Sequence, residues 1–227
     1  VWHALITKVG TGTRFALITN TYLTPKQMLI AILDEFEISF KEEWPKIKLL
    51  GVLNKFLIEQ VHLGFNVVIL IDEAQNLGPR VLEEVRMLSN LETEKEKLVQ
   101  IILMGQPELR DVLERKELTQ LRQRISVYYH IYPLSEKESK RYIEHRLKIA
   151  GFNGGKLLFE RPALNKIHSY SGGVPRLINS LCDRALLTGF IRERKRISKN
   201  IIEEVARELK IKGLPDEEEK WEKSVMP

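Results

Sequence analysis

The chain has 227 residues, of which 43% are hydrophobic and 30% are charged, and its formal net charge is +5. This composition predicts a soluble protein with one α/β domain or two smaller ones, and apolar runs no longer than a strand exclude a transmembrane helix within the chain. The single cysteine, Cys182, excludes a disulfide framework and a multi-cysteine metal site, which favours a reducing compartment. We therefore expect a cytoplasmic location.

In the first part of the chain, short apolar runs alternate with amphipathic helical patterns, as is typical of a parallel α/β sheet. Strands are predicted at Trp2–Ile6, Phe15–Thr19, Asn66–Ile71, Val99–Met104 and Val127–Ile131. Thr24 followed by Pro25 predicts the start of a helix. The apolar spacing predicts two more helices, over Lys46–Leu63 and Pro79–Leu91.

The strand patterns stop after about residue 134. Ser135 and Glu138 form a capping-box pattern, which predicts a helix up to about Ala150. Three further helices are predicted at Pro162–Ser169, Pro175–Arg192 and Asn200–Lys210. We therefore expect an α/β domain over residues 1–134, a small helical domain over residues 135–210, and a charged tail or linker over residues 211–227.

The connection between the first two predicted strands is too short for a parallel sheet. Only residues 7–14 separate them, whereas a parallel crossover needs about a dozen residues or more. This connection contains Lys8–Thr13, which resembles a phosphate-binding P-loop without its lysine and its following helix. Either the protein has lost this element, or residues are missing between two joined segments. The second interpretation predicts an interruption of the chain close to Gly12–Arg14.

Some parts of a P-loop are nevertheless present. Gly10, Thr11 and Gly12 supply a tight backbone whose amides would wrap phosphates, and Thr13 supplies a hydroxyl for Mg²⁺. Thr7 stands where the first glycine of the motif belongs. Taken alone, a Gly-Thr-Gly sequence is commonly just a turn.

The chemistry of the site is predicted most clearly by the run Val67–Ile71, which is followed directly by Asp72 and Glu73. A continuous apolar run indicates a strand buried on both faces of a parallel sheet, and ligands bind at the carboxyl ends of such strands. In a P-loop nucleotidase, an Asp at this point holds Mg²⁺ against the phosphates. Glu73 would then polarise a water molecule. The alternative is that the two carboxylates only open a loop before the next helix.

Polar residues in two later segments fit the same site. Gln106 follows the strand Val99–Met104 and is placed to approach the γ-phosphate and the attacking water, although a simple turn explains its position equally well. Arg122 and Arg124 precede the last predicted strand. An arginine there can reach the nucleotide of a neighbouring subunit as an arginine finger, but surface arginines are common.

Arg176 lies in the first turn of the helix that Pro175 begins, after the turn Ser171–Val174. Positive charge is unfavourable at a helix N-terminus. A contact with a phosphate group is a functional reason to tolerate it there.

Taken together, these residues resemble an AAA+ ATPase of the general secretion pathway A-type family. The resemblance covers about Phe15 to Leu209 and rests on Ala16–Asn20, Ile71–Leu77, Arg86–Thr93, Gly105–Arg110, Arg122–Ile125, Ser171–Arg176 and Cys182–Leu186, with a looser match at Tyr142–Leu147. It implies a P-loop NTPase-type parallel sheet followed by a small helical lid domain. The incomplete P-loop is the one departure from the family pattern.

The resemblance implies ATP and Mg²⁺ as cofactors, with Asp72 on the metal and Glu73 as the catalytic base. It further implies Gln106 as sensor 1, Arg176 as sensor 2, and an arginine finger from Arg122 or Arg124. Members of the family often continue into a membrane helix, so the chain would be cytoplasmic or the cytoplasmic part of an inner-membrane protein. A homo-oligomer that works with secretion or envelope-assembly proteins is expected.

Two alternatives to an assembly ATPase remain open at this stage. The positive net charge and the shared core motifs are compatible with a DNA-associated AAA+ ATPase, such as a transposition regulator or an initiator-like protein. Nucleic acid is the less expected partner, because basic runs are usually solvated faces. The damaged P-loop is compatible with a degenerate AAA+ scaffold that does not hydrolyse ATP.

Overall fold

The computed structural model describes residues 12–93, 96–153 and 158–211, in two compact units that meet in sequence between Tyr128 and Tyr129. Among these residues, the first unit contains a parallel sheet with the strands β1 (Thr13–Ile18), β2 (Asn66–Ile71) and β3 (Gln100–Leu103), in the order β1-β2-β3. Together with its helices, this sheet confirms the predicted α/β fold class.

The central position of β2 follows from its sequence, since every residue from Val67 to Ile71 is buried and only Asn66 at its start is exposed. The helices of the first unit are α1 (Pro25–Glu35), α2 (Lys46–His62), α3 (Pro79–Leu88), α4 (Glu108–Leu113) and α5 (Thr119–Arg124). Leu29, Leu53 and Leu82, on α1, α2 and α3, are fully buried in the same core as β2. Burial of such side chains stabilises the layer by about 1.5–3 kcal/mol each.

Two predicted helix starts carry the expected caps. The Thr24 side chain accepts a hydrogen bond from the Gln27 N–H, and the Gln27 side chain accepts one from the Thr24 N–H. Ser135 and Glu138 form the same reciprocal pair at the start of α6 (Glu136–Ile149). Each pair satisfies two backbone donors that a helix would otherwise leave without partners.

The second unit is helical, as predicted. After α6 it contains α7 (Arg161–Ser171), α8 (Pro175–Ile191) and α9 (Lys199–Glu208), and α9 contacts both α7 and α8. Phe159, Ile167, Leu181 and Ile202 are completely or almost completely buried in its core. In the part of the chain that the structure describes, no helix is long and apolar enough to cross a membrane.

The strand predicted at Val127–Ile131 is wrong. This segment has no regular structure, and Val127, Tyr129 and Ile131 are 77%, 88% and 67% exposed. High β-propensity does not form a strand unless the backbone finds a hydrogen-bonding neighbour. The other outer strand of the prediction, Trp2–Ile6, lies outside the described residues.

The predicted interruption close to Gly12–Arg14 is not seen in the structure. Thr13 and Arg14 form the start of β1 and pair with Asn66 and Val67. The Asn66 N–H also donates to the Gly12 carbonyl oxygen at 3.0 Å, so the ladder extends to Gly12. These bonds hold the segment as a strand rather than as a phosphate-binding turn.

Candidate functional site

The candidate site lies at the carboxyl edge of the sheet, where β2 and β3 end. Beyond β2, the Asp72 N–H donates to the Ile18 carbonyl oxygen at 2.9 Å, and the Ala74 N–H donates to the Met104 carbonyl oxygen at 2.8 Å. The Met104 N–H in turn donates to the Ile71 carbonyl oxygen at 2.8 Å. The backbone that carries the two carboxylates is therefore fixed to both neighbouring strands.

Glu73 adopts a left-handed backbone conformation, with φ 50° and ψ 37°. This region is unfavourable for a residue with a Cβ, at a cost of about 1–3 kcal/mol, and such strain is concentrated at functional sites. The Glu73 N–H donates to Asp72 Oδ1 at 2.9 Å. The turn thus gives two adjacent carboxylates different environments, with Asp72 half-buried beside the strand end and Glu73 exposed.

The structure brings Gln106 to Glu73, as the prediction of a shared site requires. The Gln106 Nε2 group donates to Glu73 Oε2 at 3.3 Å, although the two residues lie on different loops. The Gln75 Nε2 group donates to the same oxygen at 2.6 Å. Two amide donors therefore hold one oxygen of the exposed Glu73 carboxylate.

The Asp72 carboxylate fits what Mg²⁺ requires from a nucleotidase. Mg²⁺ is usually held by one or two carboxylates together with phosphate oxygens and water, rather than by a cage of protein ligands. No group of three or more His, Cys, Asp or Glu side chains with metal-binding geometry occurs among residues 12–93, 96–153 and 158–211. As the half-buried carboxylate at the end of the central strand, Asp72 is the residue that would hold such an ion.

The prediction that Thr13 shares this metal with Asp72 is wrong for the described structure. Thr13 pairs with Asn66 at the amino end of the strands, and Asn66 precedes Asp72 by six residues along the chain. At about 3.3 Å per residue, Thr13 and Asp72 therefore lie about 20 Å apart, on opposite edges of the sheet. Gly12 lies beside Thr13 at that edge, so its predicted phosphate contact is wrong as well, and Gly10 and Thr11 lie outside the described residues.

Arg122 and Arg124 are exposed on α5, at the surface of the first unit. The helix is anchored by Leu121, which is buried in the core together with Leu118 from the preceding turn. This anchoring leaves both arginines directed away from the core. Their assignment as a finger for a neighbouring subunit stays a prediction.

Arg176 lies in the first turn of α8 in the second unit and is exposed. The preceding turn has a structural cause, because Gly173 has φ 78° and a Cβ there would lie 1.9 Å from the Leu134 carbonyl oxygen. The Leu134 N–H donates to the Gly173 carbonyl oxygen at 2.9 Å. Packing thus explains the glycine, whereas the role of Arg176 as sensor 2 stays a prediction.

Cys182 is confirmed as a buried side chain without a disulfide. Burial raises the pKa of its thiol to about 12, so the group stays protonated and inert near neutral pH. It therefore takes no part in the candidate site.

Comparisons with known proteins agree with the resemblance seen in the sequence. Residues 4–113 match the AAA domain family. The chain is 39% identical over 226 residues to General secretion pathway protein A of Aeromonas hydrophila, and it covers 40% of that protein's length. Residues 4–113 are thus similar to the AAA domain, and the whole chain is similar to part of General secretion pathway protein A.

Solved structures support the fold alone, because their sequence identity is low. Cdc6p from Pyrobaculum aerophilum superposes with a TM-score of 0.69 at 19% identity, over 91% of this chain and 55% of that chain. The ORC2 protein of Aeropyrum pernix, solved as ADPNP–ADP complexes, gives a TM-score of 0.65 at 15% identity over the same shares of the two chains.

Proposed function

We propose that this relative of General secretion pathway protein A binds ATP with Mg²⁺ and hydrolyses it, and that hydrolysis drives assembly of a secretion or envelope complex. The observation that carries the proposal is the meeting of Asp72, Glu73 and Gln106 at the end of the central strand, with Gln106 donating to the Glu73 carboxylate. A metal ligand, a base and a polar side chain near the reacting water are what phosphoryl transfer to water requires.

In this proposal, Mg²⁺ neutralises charge on the phosphates when it is bound, and Asp72 holds it. Glu73 orients a water molecule and accepts its proton, for which its exposed position gives access. Gln106 donates toward the γ-phosphate and the water. Arg176 is assigned the role of sensor 2, and Arg122 or Arg124 reaches the nucleotide of an adjacent subunit in a homo-oligomer.

The assembly role is supported by the relative at 39% identity. Because the chain spans 40% of that protein's length, the activity and partners of the whole protein are part of the proposal. The cytoplasmic location and the homo-oligomer are also parts of the proposal.

A second candidate function is a scaffold that does not hydrolyse ATP. The observation that favours it is the position of Gly12 and Thr13 at the amino edge of the sheet, far from Asp72. Within residues 12–93, 96–153 and 158–211, no glycine-rich, lysine-bearing loop follows a strand near Asp72, so this part of the chain gives the phosphates no backbone cradle. The two candidates make opposite predictions for ATP turnover.

The test compares nucleotide affinity and phosphate release for the wild-type chain, Asp72→Ala and Glu73→Gln. We expect Asp72→Ala to lose Mg²⁺-dependent ATP binding, whereas Glu73→Gln keeps binding and loses turnover. Glu59→Gln, at an exposed position on α2, is the matched control for removing one carboxylate charge. Equal loss of affinity in Asp72→Ala and Glu73→Gln would contradict the division of roles, and binding without turnover in the wild type would favour the scaffold.

A further inference from the structure

We propose that Gln75 is a positioning residue that fixes the Glu73 carboxylate and couples it to the loop that carries Gln106. This inference rests on the proposed function, because it concerns how the base is oriented for hydrolysis. Gln75 belongs to the short turn Ala74–Asn76 that follows Glu73. Sequence reasoning gave it no role, although it stands two residues after the proposed base.

Both ends of the Gln75 amide are engaged. Its Nε2 group donates to Glu73 Oε2 at 2.6 Å, and its Oε1 atom accepts from the Gln106 N–H at 3.1 Å. The orientation of the amide follows from its partners, because a backbone N–H can only donate and a carboxylate can only accept. Gln75 therefore bridges the loop after β2 to the loop after β3.

The bridge acts on the side chain of Glu73 rather than on the turn itself. The bonds from Asp72 to Ile18 and from Ala74 to Met104 hold the backbone on either side of Glu73 without help from Gln75. The Glu73 side chain is exposed, and its rotamers are free unless a partner holds them. Gln75 and Gln106 both bind Oε2, and no other described side chain hydrogen-bonds to the carboxylate, so Oε1 can accept the proton of a water molecule.

The lack of a side chain at Gly105 leaves room for the Gln75 amide in its bridging position. A Cβ at Gly105 would lie 2.4 Å from Gln75 Oε1 and 3.1 Å from Leu109 Cδ2. The closest clash is with the end of a flexible side chain, so an alanine there displaces the amide and leaves the backbone in place. Gly105→Ala and Gln75→Ala are therefore two separate ways to break the same bridge.

Three variants distinguish the hydrogen bond from Gln75 to Glu73 from the hydrogen bond between Gln75 and the Gln106 N–H. Gln75→Ala removes both hydrogen bonds. Gln75→Glu keeps an acceptor for the Gln106 N–H, but it loses the donor to Glu73 and places a second negative charge beside it. Gly105→Ala displaces the amide, and the double variant Gln75→Ala with Gly105→Ala should equal Gln75→Ala alone, because the two changes act through one contact.

The first measurement is ATP turnover. We expect Gln75→Ala and Gly105→Ala to lower kcat about 10- to 100-fold while KM changes less than about threefold, the range in which loss of a supporting hydrogen bond usually falls. Gln75→Glu should lower kcat at least as much. Gln100→Ala, at an exposed position on the opposite edge of the sheet, and Gly51→Ala, which meets no atom within 4 Å, are the matched controls.

The second measurement does not need turnover. Hydrogen exchange of the Gln106 amide, followed by NMR, should be about three- to tenfold faster in Gln75→Ala and close to wild type in Gln75→Glu, because a hydrogen bond of ordinary strength protects by that factor. A Gln106 amide that exchanges at the wild-type rate in Gln75→Ala would overturn the bridge.

The two measurements together distinguish the possible failures. Wild-type kcat in Gln75→Ala, in a protein whose turnover Glu73→Gln abolishes, would overturn the positioning role and leave the proposed function intact. If the wild type itself does not turn over ATP, the proposed function fails, and the exchange rates alone decide whether Gln75 forms the bridge.

Discussion

Replacement of Gly173 by alanine should destabilise the second unit more than the same change at any open glycine. Gly173 has φ 78°, and its new Cβ would lie 1.9 Å from the Leu134 carbonyl oxygen and 2.9 Å from the Leu134 carbonyl carbon. Left-handed strain costs about 1–2 kcal/mol for a residue with a Cβ. Because the obstacle is backbone, it cannot rotate away as a side-chain end can.

The clash adds a further cost, because Leu134 has to move. Movement of Leu134 strains or breaks its N–H bond to the Gly173 carbonyl oxygen, which is 2.9 Å long. Overpacking costs about 1–3 kcal/mol, and a lost backbone hydrogen bond costs about 1 kcal/mol. The expected loss of stability is therefore about 3–6 kcal/mol, which is large compared with the total for a small unit.

Gly151→Ala is the matched control, since Gly151 lies in the same unit at φ 89° but meets no atom within 4 Å. It should lose only the left-handed strain of about 1–2 kcal/mol. Hydrogen exchange of α7 and α8, measured by mass spectrometry as a function of denaturant, reports the unfolding of this unit. Equal destabilisation by the two substitutions would refute the packing explanation for Gly173.

Mixing subunits that lack the finger arginines with Glu73→Gln subunits should restore part of the ATP turnover, and no recovery at concentrations where oligomers form would argue against a shared site. The Cys182 thiol, whose raised pKa keeps it protonated, should react with a disulfide reagent at pH 8 only after unfolding, and rapid labelling of the folded chain would contradict its burial. Lys46→Met leaves the buried Glu84 carboxylate without its cation and should cost about 1–3 kcal/mol, an effect that Lys46→Arg should largely avoid and that denaturant unfolding would measure.

The sequence predicts most of the site because local patterns determine it. The apolar run Val67–Ile71 can only be buried in the middle of a sheet, and the residues that follow it must then lie at the carboxyl edge. Gln106 follows the neighbouring strand, so the parallel order brings it to the same edge. The caps at Thr24 and Ser135 are local hydrogen-bond patterns and were equally predictable.

The remaining features depend on contacts between distant residues. The bridge through Gln75 requires the left-handed turn at Glu73 and the approach of Gln106, and no spacing rule encodes either. Thr13 matched a phosphate-loop pattern, but its register opposite Asn66 places it at the other edge of the sheet. Val127–Ile131 has strand-like residues, yet a strand forms only where a neighbouring backbone pairs with it.

The most direct test of ATP hydrolysis at this edge is the steady-state release of inorganic phosphate from Mg²⁺–ATP by the wild-type chain and by Glu73→Gln. We predict measurable release by the wild type and its loss in Glu73→Gln, with ATP binding retained in both proteins. Release at the same rate by both proteins, or ATP binding without any release by the wild type, would contradict hydrolysis with Glu73 as the base.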